Sequence, residues 1–296
     1  MAQILGVGIA TLDIINQLDH YPVEDSEQRA SAQQVKRGGN VTNTLVVLSQ
    51  LGEQCDWCGV LANDPGSMAI RADLELNQVA LQHCEIVESG TTPTSYIVLN
   101  NQNGSRTIVH YRDLPELSSA SFQACPLDPY QWLHFEGRAV DETRKMMMFA
   151  RQQQSQLTIS LEIEKPREEI EQLFPLADLL LFSRHYAHSQ GFTSAVELLQ
   201  AMRPLAPHST LVCAWGELGA YALQENGEII HAPAIAQDKI IDSLGAGDTF
   251  NAGMIHNLLN KQPLSIALRN SCRLAGLKCA QQGFNGLAKR YQQPDR

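Results

Sequence analysis

Residues 240–253 have the sequence IIDSLGAGDTFNAG. The β-branched residues end before a run of small ones, Gly245, Ala246 and Gly247, and from Asp248 onward the apolar residues recur at helical spacing. This pattern predicts a glycine-rich turn that leads into the N-terminus of a helix. The small residues leave their backbone N–H groups open, and these groups add to the unpaired donors and positive dipole end of the helix. The segment therefore predicts an anion site.

Asp248 stands at the start of the predicted helix, where two roles fit it. It can cap the helix, as an acidic residue often does at that position. It can also take the proton from a hydroxyl group that attacks a phosphoryl group. We favour the general base, because a carboxylate beside an anion site is unfavourable for binding alone.

Apolar runs of strand length alternate with segments of helical period along most of the chain. The predicted strands are residues 4–9, 57–61, 132–136, 158–162, 179–183 and 211–215, and the predicted helices include 41–51, 67–77 and 142–153. The alternation predicts an α/β fold, a three-layer αβα sandwich with a mainly parallel central sheet. With no internal repeat or linker, residues 1–296 are expected to form a single domain.

Two excursions interrupt this alternation. Residues 94–100 and 105–111 are strand-like, and the turn-rich residues 101–104 between them predict a hairpin. Residues 14–36 also lack helical period. We expect the excursions at about 14–36 and 93–112 to form a small antiparallel sheet that serves as a lid. Such a sheet needs a cover over its apolar face, either substrate or the identical sheet of a second copy.

The composition limits the partners of the chain. Its 22 Lys and Arg residues against 32 Asp and Glu residues give a net charge of −10, without a basic run longer than a pair, which argues against nucleic acid. No apolar run approaches the roughly 20 residues of a membrane span, and the N-terminus lacks the basic start of a secretory signal. The seven scattered cysteines predict buried thiols in a cytoplasmic protein, and Cys55 and Cys58 lie within a strand-like run.

Other phosphate and metal motifs do not occur in the sequence. There is no Gly-Lys dipeptide for a P-loop, and the pair Gly6 and Gly8 lacks the third glycine of a dinucleotide fingerprint. The His and Cys spacings match no zinc set. We assign no protein side chain as a metal ligand.

Residues 242–248 resemble the signature of the ribokinase-like, PfkB-type sugar kinases, which usually reads Asp-Thr-x-Gly-Ala-Gly-Asp. Residues 37–43, with the sequence RGGNVTN, resemble the Gly-Gly-Asn-x-x-Asn motif of the same family. The resemblance implies a ribokinase-like fold and transfer of the ATP γ-phosphoryl group to a sugar hydroxyl. In that reaction Asp248 is the catalytic base and residues 245–247 form the anion hole.

The same resemblance implies where the sugar binds. Arg106 on the lid would reach the phosphates, and Asp25 would approach the sugar of the partner subunit. From the residues alone, Arg106 is a solvated hairpin charge, Asp25 is equally well a turn acid, and the Gly-Asn motif is a glycine turn with Asn caps. A carboxylate and two amides suit a polyol, since they offer both acceptors and donors. The residues implied to contact sugar hydroxyls are Asp13, Gly39, Asn40 and Asn43.

Residues 214–219 form a turn after a predicted strand and are, in isolation, a plain loop. The resemblance implies Mg²⁺, and K⁺ near the anion-hole loop. Residues 183–186 read SRHY where many family members carry Asn-x-x-Glu to organise the Mg²⁺ waters, so the metal's surroundings are left open. Cys272 and Cys279 can line a pocket or fill the core, and we favour the core. The residues implied to contact ATP are Trp215, Gly216, Glu217 and Gly219.

Within the family, the resemblance is nearest to the members that phosphorylate O1 of fructose, and it runs nearly end to end. It implies a homodimer whose lids clasp one another. The same scaffold serves other acceptors, namely ribose, nucleosides, aldohexoses and sugar phosphates, and a sensor that binds without turnover is the remaining alternative. The matching stretches are residues 21–27, 104–108, 134–138, 161–169, 211–215 and 278–286.

Overall fold

A computed structural model describes residues 3–293 of the chain. Its strands are β1 (Gln3–Val7), β2 (Thr11–Leu18), β3 (Ala32–Gly38), β4 (Gln54–Cys58), β5 (Val60–Ala62), β6 (Val79–Ala80), β7 (Glu85–Val87), β8 (Thr94–Asn100), β9 (Arg106–Tyr111), β10 (Trp132–Glu136), β11 (Thr158–Ile163), β12 (Leu179–Ser183), β13 (Thr210–Ala214), β14 (Ala220–Leu223) and β15 (Ile229–Ala232). The α-helices are α1 (Asn40–Gln50), α2 (Pro65–Leu76), α3 (Ser119–Gln123), α4 (Val140–Gln153), α5 (Arg184–Ser189), α6 (Ala195–Met202), α7 (Ala246–Leu259), α8 (Leu264–Cys279) and α9 (Leu287–Gln292). Short 3-10 helices cover Ile170–Leu176, Arg203–Leu205 and Gly216–Leu218.

The large sheet has the strand order β15-β14-β13-β12-β11-β10-β1-β4-β6. Neighbours from β13 to β6 run parallel, and β14 and β15 add an antiparallel hairpin at one edge. Helices α1, α2, α7, α8 and α9 pack on one face of this sheet, and α3 to α6 pack on the other. The predicted three-layer αβα sandwich is confirmed. Among residues 3–293, the helices are too short or too polar to cross a membrane.

Strand side chains alternate between the two helical layers. In β12, Leu180 and Phe182 join the core beneath α4 to α6, whereas Leu179 and Leu181 join the core beneath α1, α7 and α8. All four are buried, and each contributes about 1.5–3 kcal/mol by leaving water. This explains why the parallel strands are continuous apolar runs in the sequence, since both of their faces are covered.

The lid is a four-stranded sheet of order β3-β2-β8-β9, as the two excursions predict. Its outer pairs, β3 with β2 and β8 with β9, are antiparallel, and its central pair, β2 with β8, is parallel. The central pair thus differs from the antiparallel pairing that the sequence predicts, because β2 and β8 come from separate excursions and not from one hairpin. The lid therefore joins two remote parts of the chain.

The predicted strand over residues 57–61 is broken in the structure. Strand β4 ends at Cys58, and β5 leaves the main sheet to pair with β7. The break falls at Gly59, where a side chain would collide with the Trp57 ring and the carbonyl oxygen of Gly8. Both Cys55 and Cys58 are buried in β4, as expected, and the Cys58 sulfur lies 3.7 Å from the Cys125 sulfur.

Candidate active site

A cleft of about 600 Å³ lies between the lid and the carboxyl ends of the parallel strands. Both glycine motifs, although about 200 positions apart in sequence, contribute to its wall. The arrangement follows from topology, because segments that leave parallel strands at their carboxyl ends collect at one edge of the sheet. The predicted residues that line this cleft are Asp13, Gly39, Asn40, Asn43, Arg106, Gly245, Ala246, Gly247 and Asp248.

The anion loop, residues 242–247, runs into the N-terminus of α7. Gly245 has a φ of 77°, a left-handed conformation that favours glycine, and the Phe284 ring packs where its side chain would be. The first i to i−4 bond of the helix runs from Thr249 to Gly245, so the N–H groups of Gly247 and Asp248 have no helical acceptor. A Cβ on Gly247 would meet no atom within 4 Å, so this backbone is open to the cleft.

Asp248 lies in the first turn of α7 and is 7% exposed. Its Oδ2 accepts a 2.7 Å hydrogen bond from Asn43 Nδ2 in α1. Burial raises the pKa of the Asp248 carboxyl to about 7, the Asn43 bond opposes this rise, and the negative charges of Glu164 and Glu136 add to it. A carboxyl group with a pKa near neutrality is suited to accept and release a proton.

Three further carboxyl groups face the cleft, and the sequence reasoning gave none of them a role. They belong to Glu136 at the end of β10, Glu162 in β11 and Glu164 just after β11. Glu162 is buried, and its pKa lies well above the usual range because of burial and of the neighbouring charges of Asp248, Glu164 and Glu136. Their position at the carboxyl ends of adjacent parallel strands is the signal by which the sequence could have identified them.

Hydrogen bonds hold two of these carboxyl groups. Glu164 Oε2 accepts from Asn40 Nδ2 at 3.0 Å, and Glu162 Oε1 accepts from Asn251 Nδ2 at 3.0 Å. The other oxygen of Glu162 is buried and has no hydrogen-bond partner among residues 3–293. Because burial favours the uncharged form, a protonated Glu162 satisfies this environment better than a carboxylate does.

The lid supplies the opposite wall of the cleft. Asp13 in β2 accepts a 2.9 Å hydrogen bond from Thr11, and burial raises the pKa of its carboxyl. His110 in β9 lies 3.2 Å from Ser95, and burial lowers its pKa, with further lowering by neighbouring cations. Arg106 Nη1 donates to Ser243 Oγ at 3.4 Å, so the lid contacts the anion loop. This contact places the Arg106 charge beside the predicted phosphoryl position.

The predicted nucleotide residues lie beyond one end of the cleft. Gly216–Leu218 forms a 3-10 turn after β13, with Trp215 buried against His188. Glu217 is exposed and accepts from Arg184 Nη1 at 2.9 Å. Arg184 directly follows Ser183, which lines the cleft, so the turn and the cleft are contiguous.

Lys278 is a fully buried ammonium group behind the anion loop. It donates to the Asp242 carbonyl oxygen at 2.9 Å and to Asp242 Oδ2 at 3.1 Å. Gly283 N–H also donates to this Oδ2, and the positive charge of Lys278 and these bonds lower the pKa of Asp242 against its burial. The ion pair joins the start of the anion loop to the end of α8.

Two predicted features lie away from the cleft wall. Asp25 lies in the exposed segment between β2 and β3, so its role at a partner's site stays a prediction. Cys272 is buried in the core, the position that the sequence analysis favours, and Cys279 is half-buried. Among residues 3–293, no group of three or more His, Cys, Asp or Glu side chains could hold a metal ion.

Residues 1–289 match the model of a family described as "pfkB family carbohydrate kinase". The chain is 41% identical to the ketohexokinase of Mus musculus, an alignment that covers 96% of this chain and 98% of the relative. Its fold is similar to the ribokinase of Arabidopsis thaliana solved with ribose and ATP, with a TM-score of 0.81, 17% identity, and coverage of 99% and 100% of the two chains. The ribokinase of Cryptococcus neoformans solved with ADP gives a TM-score of 0.77, 18% identity, and coverage of 98% and 100%.

Proposed function

The chain belongs to the pfkB family of carbohydrate kinases and is an ATP-dependent sugar kinase, and we propose that its acceptor is a ketohexose, with fructose converted to fructose 1-phosphate. The observation that carries this proposal is the buried Asp248, which stands between the anion loop and the amide of Asn43. The extent of the similarity to a ketohexokinase supports a ketohexose as the acceptor.

The proposed reaction is one in-line phosphoryl transfer. Asp248 accepts the proton of the sugar hydroxyl while its oxygen forms a bond to the γ-phosphorus. The bond between the γ-phosphorus and the bridging oxygen breaks, and ADP leaves with that oxygen. Backbone N–H groups at residues 245–247 stabilise the charge on the phosphoryl oxygens, and Arg106 adds a positive charge from the lid.

The other polar groups position the two substrates. Asp13, Gly39, Asn40 and Asn43 contact sugar hydroxyls. Residues 215–219 bind the nucleotide. Positioning and exclusion of water by the lid supply much of the rate enhancement, since phosphoryl transfer needs little covalent help from the protein.

Mg²⁺ is implied by the family, and the donor chemistry of the cleft fits it. Mg²⁺ prefers oxygen ligands, keeps several waters and is usually held by phosphates with one or two carboxylates. The carboxylates of Glu136 and Glu164, which line the cleft, provide such oxygens. Glu164 and Glu136 would hold the ion through its waters, where it would neutralise charge on the ATP phosphates.

The resemblance implies K⁺ near the anion-hole loop, but the oxygens of Asp242 at the start of the loop do not fit this ion. Both the carbonyl and the carboxylate of Asp242 accept hydrogen bonds from the buried ammonium of Lys278. A positive charge therefore already stands against the oxygens that K⁺ would use at Asp242. An assay with and without K⁺ tests whether the reaction needs this ion.

A homodimer through the lid is also part of the proposal. Paired residues across the lid sheet form an apolar row on the face opposite the cleft: Val35, Ile14, Tyr96 and Val109. In the single chain, Val35 is 55% exposed and Val109 is 62% exposed. A row of this kind requires a cover, and the identical sheet of a second copy supplies one.

Cationic side chains favour a sugar phosphate as a second candidate acceptor. Arg167 and Lys165 line the cleft beside Arg106, and a bound phosphate would be attracted by their charges, although Lys165 also lies 3.5 Å from Glu164 Oε2. Arg112 and Arg138 also line it, but both are engaged by Glu116. Their charges are therefore largely neutralised within the protein.

A coupled assay of ADP release tests the proposed function. The acceptors are fructose, ribose, glucose, adenosine and fructose 6-phosphate, each with and without K⁺. The expected result is the highest kcat/KM with fructose, and fructose 1-phosphate as the product by NMR. Preference for fructose 6-phosphate would support the second candidate, and absence of turnover with every acceptor would contradict an active kinase.

A further inference from the structure

Arg37 is the residue on which this inference rests. It lies near the end of β3, just before the glycine pair, and its side chain is only 4% exposed. Its Nε pairs with Asp73 Oδ2 in α2 at 2.6 Å, and its Nη1 donates to Thr42 Oγ1 at 2.8 Å and to Asn43 Oδ1 at 2.7 Å. A buried guanidinium with three oriented partners is not a solvated surface charge.

The two bonds of Asn43 determine how its amide is oriented. An amide oxygen only accepts hydrogen bonds, and an amide NH₂ group only donates them. Arg37 donates to Asn43 Oδ1, and Asp248 Oδ2 accepts from Asn43 Nδ2 at 2.7 Å. Because the guanidinium has no acceptor, the amide cannot turn over while Arg37 is in place.

We propose that Arg37 is a positioning residue for the Asp248 base: it holds the amide of Asn43 so that the NH₂ group faces the carboxylate. This inference rests on the proposed function, because it assigns the supporting group of the proposed base. The chain of contacts runs from Asp73 through Arg37 and Asn43 to Asp248. It thereby connects α2, β3, α1 and α7.

Loss of Arg37 removes the hydrogen bond to Asn43 Oδ1 that keeps the amide in this orientation. With the amide reversed, Asn43 Oδ1 would face Asp248 Oδ2, and two acceptors would meet unless the carboxyl group carried a proton. The protonated form of Asp248 would then be favoured, and that form cannot act as a base. The positive charge of Arg37 also opposes the rise in the pKa of Asp248.

Two carboxyl groups near Asp248 act on its pKa in the opposite direction to Arg37, and the cations Arg106, Arg112, Arg138, Lys165 and Arg167 line the same cleft. Glu136 at the end of β10 and Glu164 just after β11 place negative charge near the carboxyl group, while the neighbouring Glu162 is favoured in its uncharged form. Arg37 is a positively charged group that lowers the pKa of Asp248 against these effects. Its removal therefore leaves the carboxylate among like charges, and the expected change in pKa is upward.

The test compares Arg37→Met and Arg37→Lys with Arg269→Met, which removes an exposed arginine of α8. The first readout is the pH profile of kcat/KM for fructose. We expect the acidic limb of Arg37→Met to move to higher pH by about one unit, the size of effect expected for a lost hydrogen bond. Arg37→Lys keeps the charge but not the planar fork, so its limb should move less, and Arg269→Met should match the wild type.

The second readout requires no turnover. A ¹³C titration of labelled aspartate carboxyls, with Asp248→Asn to assign the signal, gives the pKa of Asp248 directly. We expect the same upward movement in Arg37→Met, and in Arg37→Lys if the methionine variant fails to fold. A folded variant in which the Asp248 titration coincides with the wild type would overturn the role of Arg37. Failure of the proposed function would show instead as absence of fructose phosphorylation by the wild type.

Discussion

Asn43 Nδ2 lies 2.7 Å from Asp248 Oδ2, although the two residues are 205 positions apart. Asn43 is in the first turn of α1, just after the N-terminal glycine pair, and Asp248 is in the first turn of α7. The two helices pack side by side on one face of the sheet, so their N-termini open at the same edge. One hydrogen bond thus links the predicted sugar side of the cleft to the predicted phosphoryl side.

The first prediction concerns the base itself. Asp248→Asn keeps the shape of the side chain but cannot accept the proton, so kcat should fall by about 10²–10⁴-fold or more. ATP affinity, measured by calorimetry, should be retained. Asp141→Asn, at an exposed position in the first turn of α4, is the matched control and should keep the wild-type kcat. A near wild-type rate in Asp248→Asn would remove this residue as the base.

The second prediction concerns pH. Burial raises the pKa of Asp248 to about 7, and only the ionised group accepts a proton. The value of kcat/KM should therefore fall about tenfold per unit as the pH drops below about 7, and it should level off above that pH. A profile that stays flat down to pH 5 would show that the group is ionised throughout and would contradict the buried environment.

The same pKa also predicts a change in stability. The folded pKa lies above the ordinary value of 3.8, so the folded state holds this proton more tightly than the unfolded state does. The contribution of Asp248 to the free energy of unfolding should thus decrease as the pH rises from about 4 to about 7. Asp248→Asn removes this contribution, so urea unfolding should show the variant gaining on the wild type between pH 5 and pH 8.

The third prediction separates two glycines of the anion loop. Gly245→Ala places a Cβ against the Phe284 ring at a left-handed φ, and it should cost about 1–2 kcal/mol of stability or more. Gly247→Ala meets no atom within 4 Å, so its free energy of unfolding should be unchanged or slightly increased. Its methyl group nevertheless enters the cleft, so its kcat/KM for ATP should fall. A loss of stability cannot explain this fall, because the free energy of unfolding is expected to stay the same or to increase. Equal activity of Gly247→Ala and wild type would argue that phosphates do not approach this backbone.

The fourth prediction concerns the ion pair behind the loop. Lys278→Met leaves the charge of Asp242 without its buried partner and should lower the free energy of unfolding by about 3–5 kcal/mol. The double variant Lys278→Met with Asp242→Asn should recover part of that loss, as a double-mutant cycle in urea would measure. Lys289→Met, at an exposed position in α9, is the control. Additive losses in the cycle would mean that the two groups are not coupled.

The fifth prediction tests the lid as an interface. The wild type should have twice the 32.7 kDa chain mass by light scattering at micromolar concentration. Val109→Asp puts a charge in the apolar row and should shift the protein to monomer, because a buried unpaired charge is strongly unfavourable. Leu205 is also partly exposed, but it lies just after α6 and outside the lid sheet. The control variant Leu205→Asp should therefore stay dimeric. A wild type that is strictly monomeric would contradict the dimer.

Much of the fold could be predicted because buried parallel strands have a strong sequence signal. Strands β10 and β12 have the predicted bounds to the residue, since each is an apolar run covered on both faces. The break after Cys58 is not predicted by the sequence, because the close packing at Gly59 involves the carbonyl oxygen of Gly8, which follows β1. Local periodicity contains no information about such a contact.

The glycine signature could be predicted as an anion site from the sequence alone, because a helix N-terminus preceded by small residues binds anions through its own local backbone. The N-terminal Gly-Asn motif is identified by its resemblance to the family motif. Tertiary structure decided everything that depends on burial and on the order of the strands. It brought Glu136, Glu162 and Glu164 together at adjacent strand ends, enclosed Lys278, and placed Arg37 behind Asn43. The physical reason is that a charge acquires its partner and its pKa from the groups packed around it, and these come from distant parts of the chain.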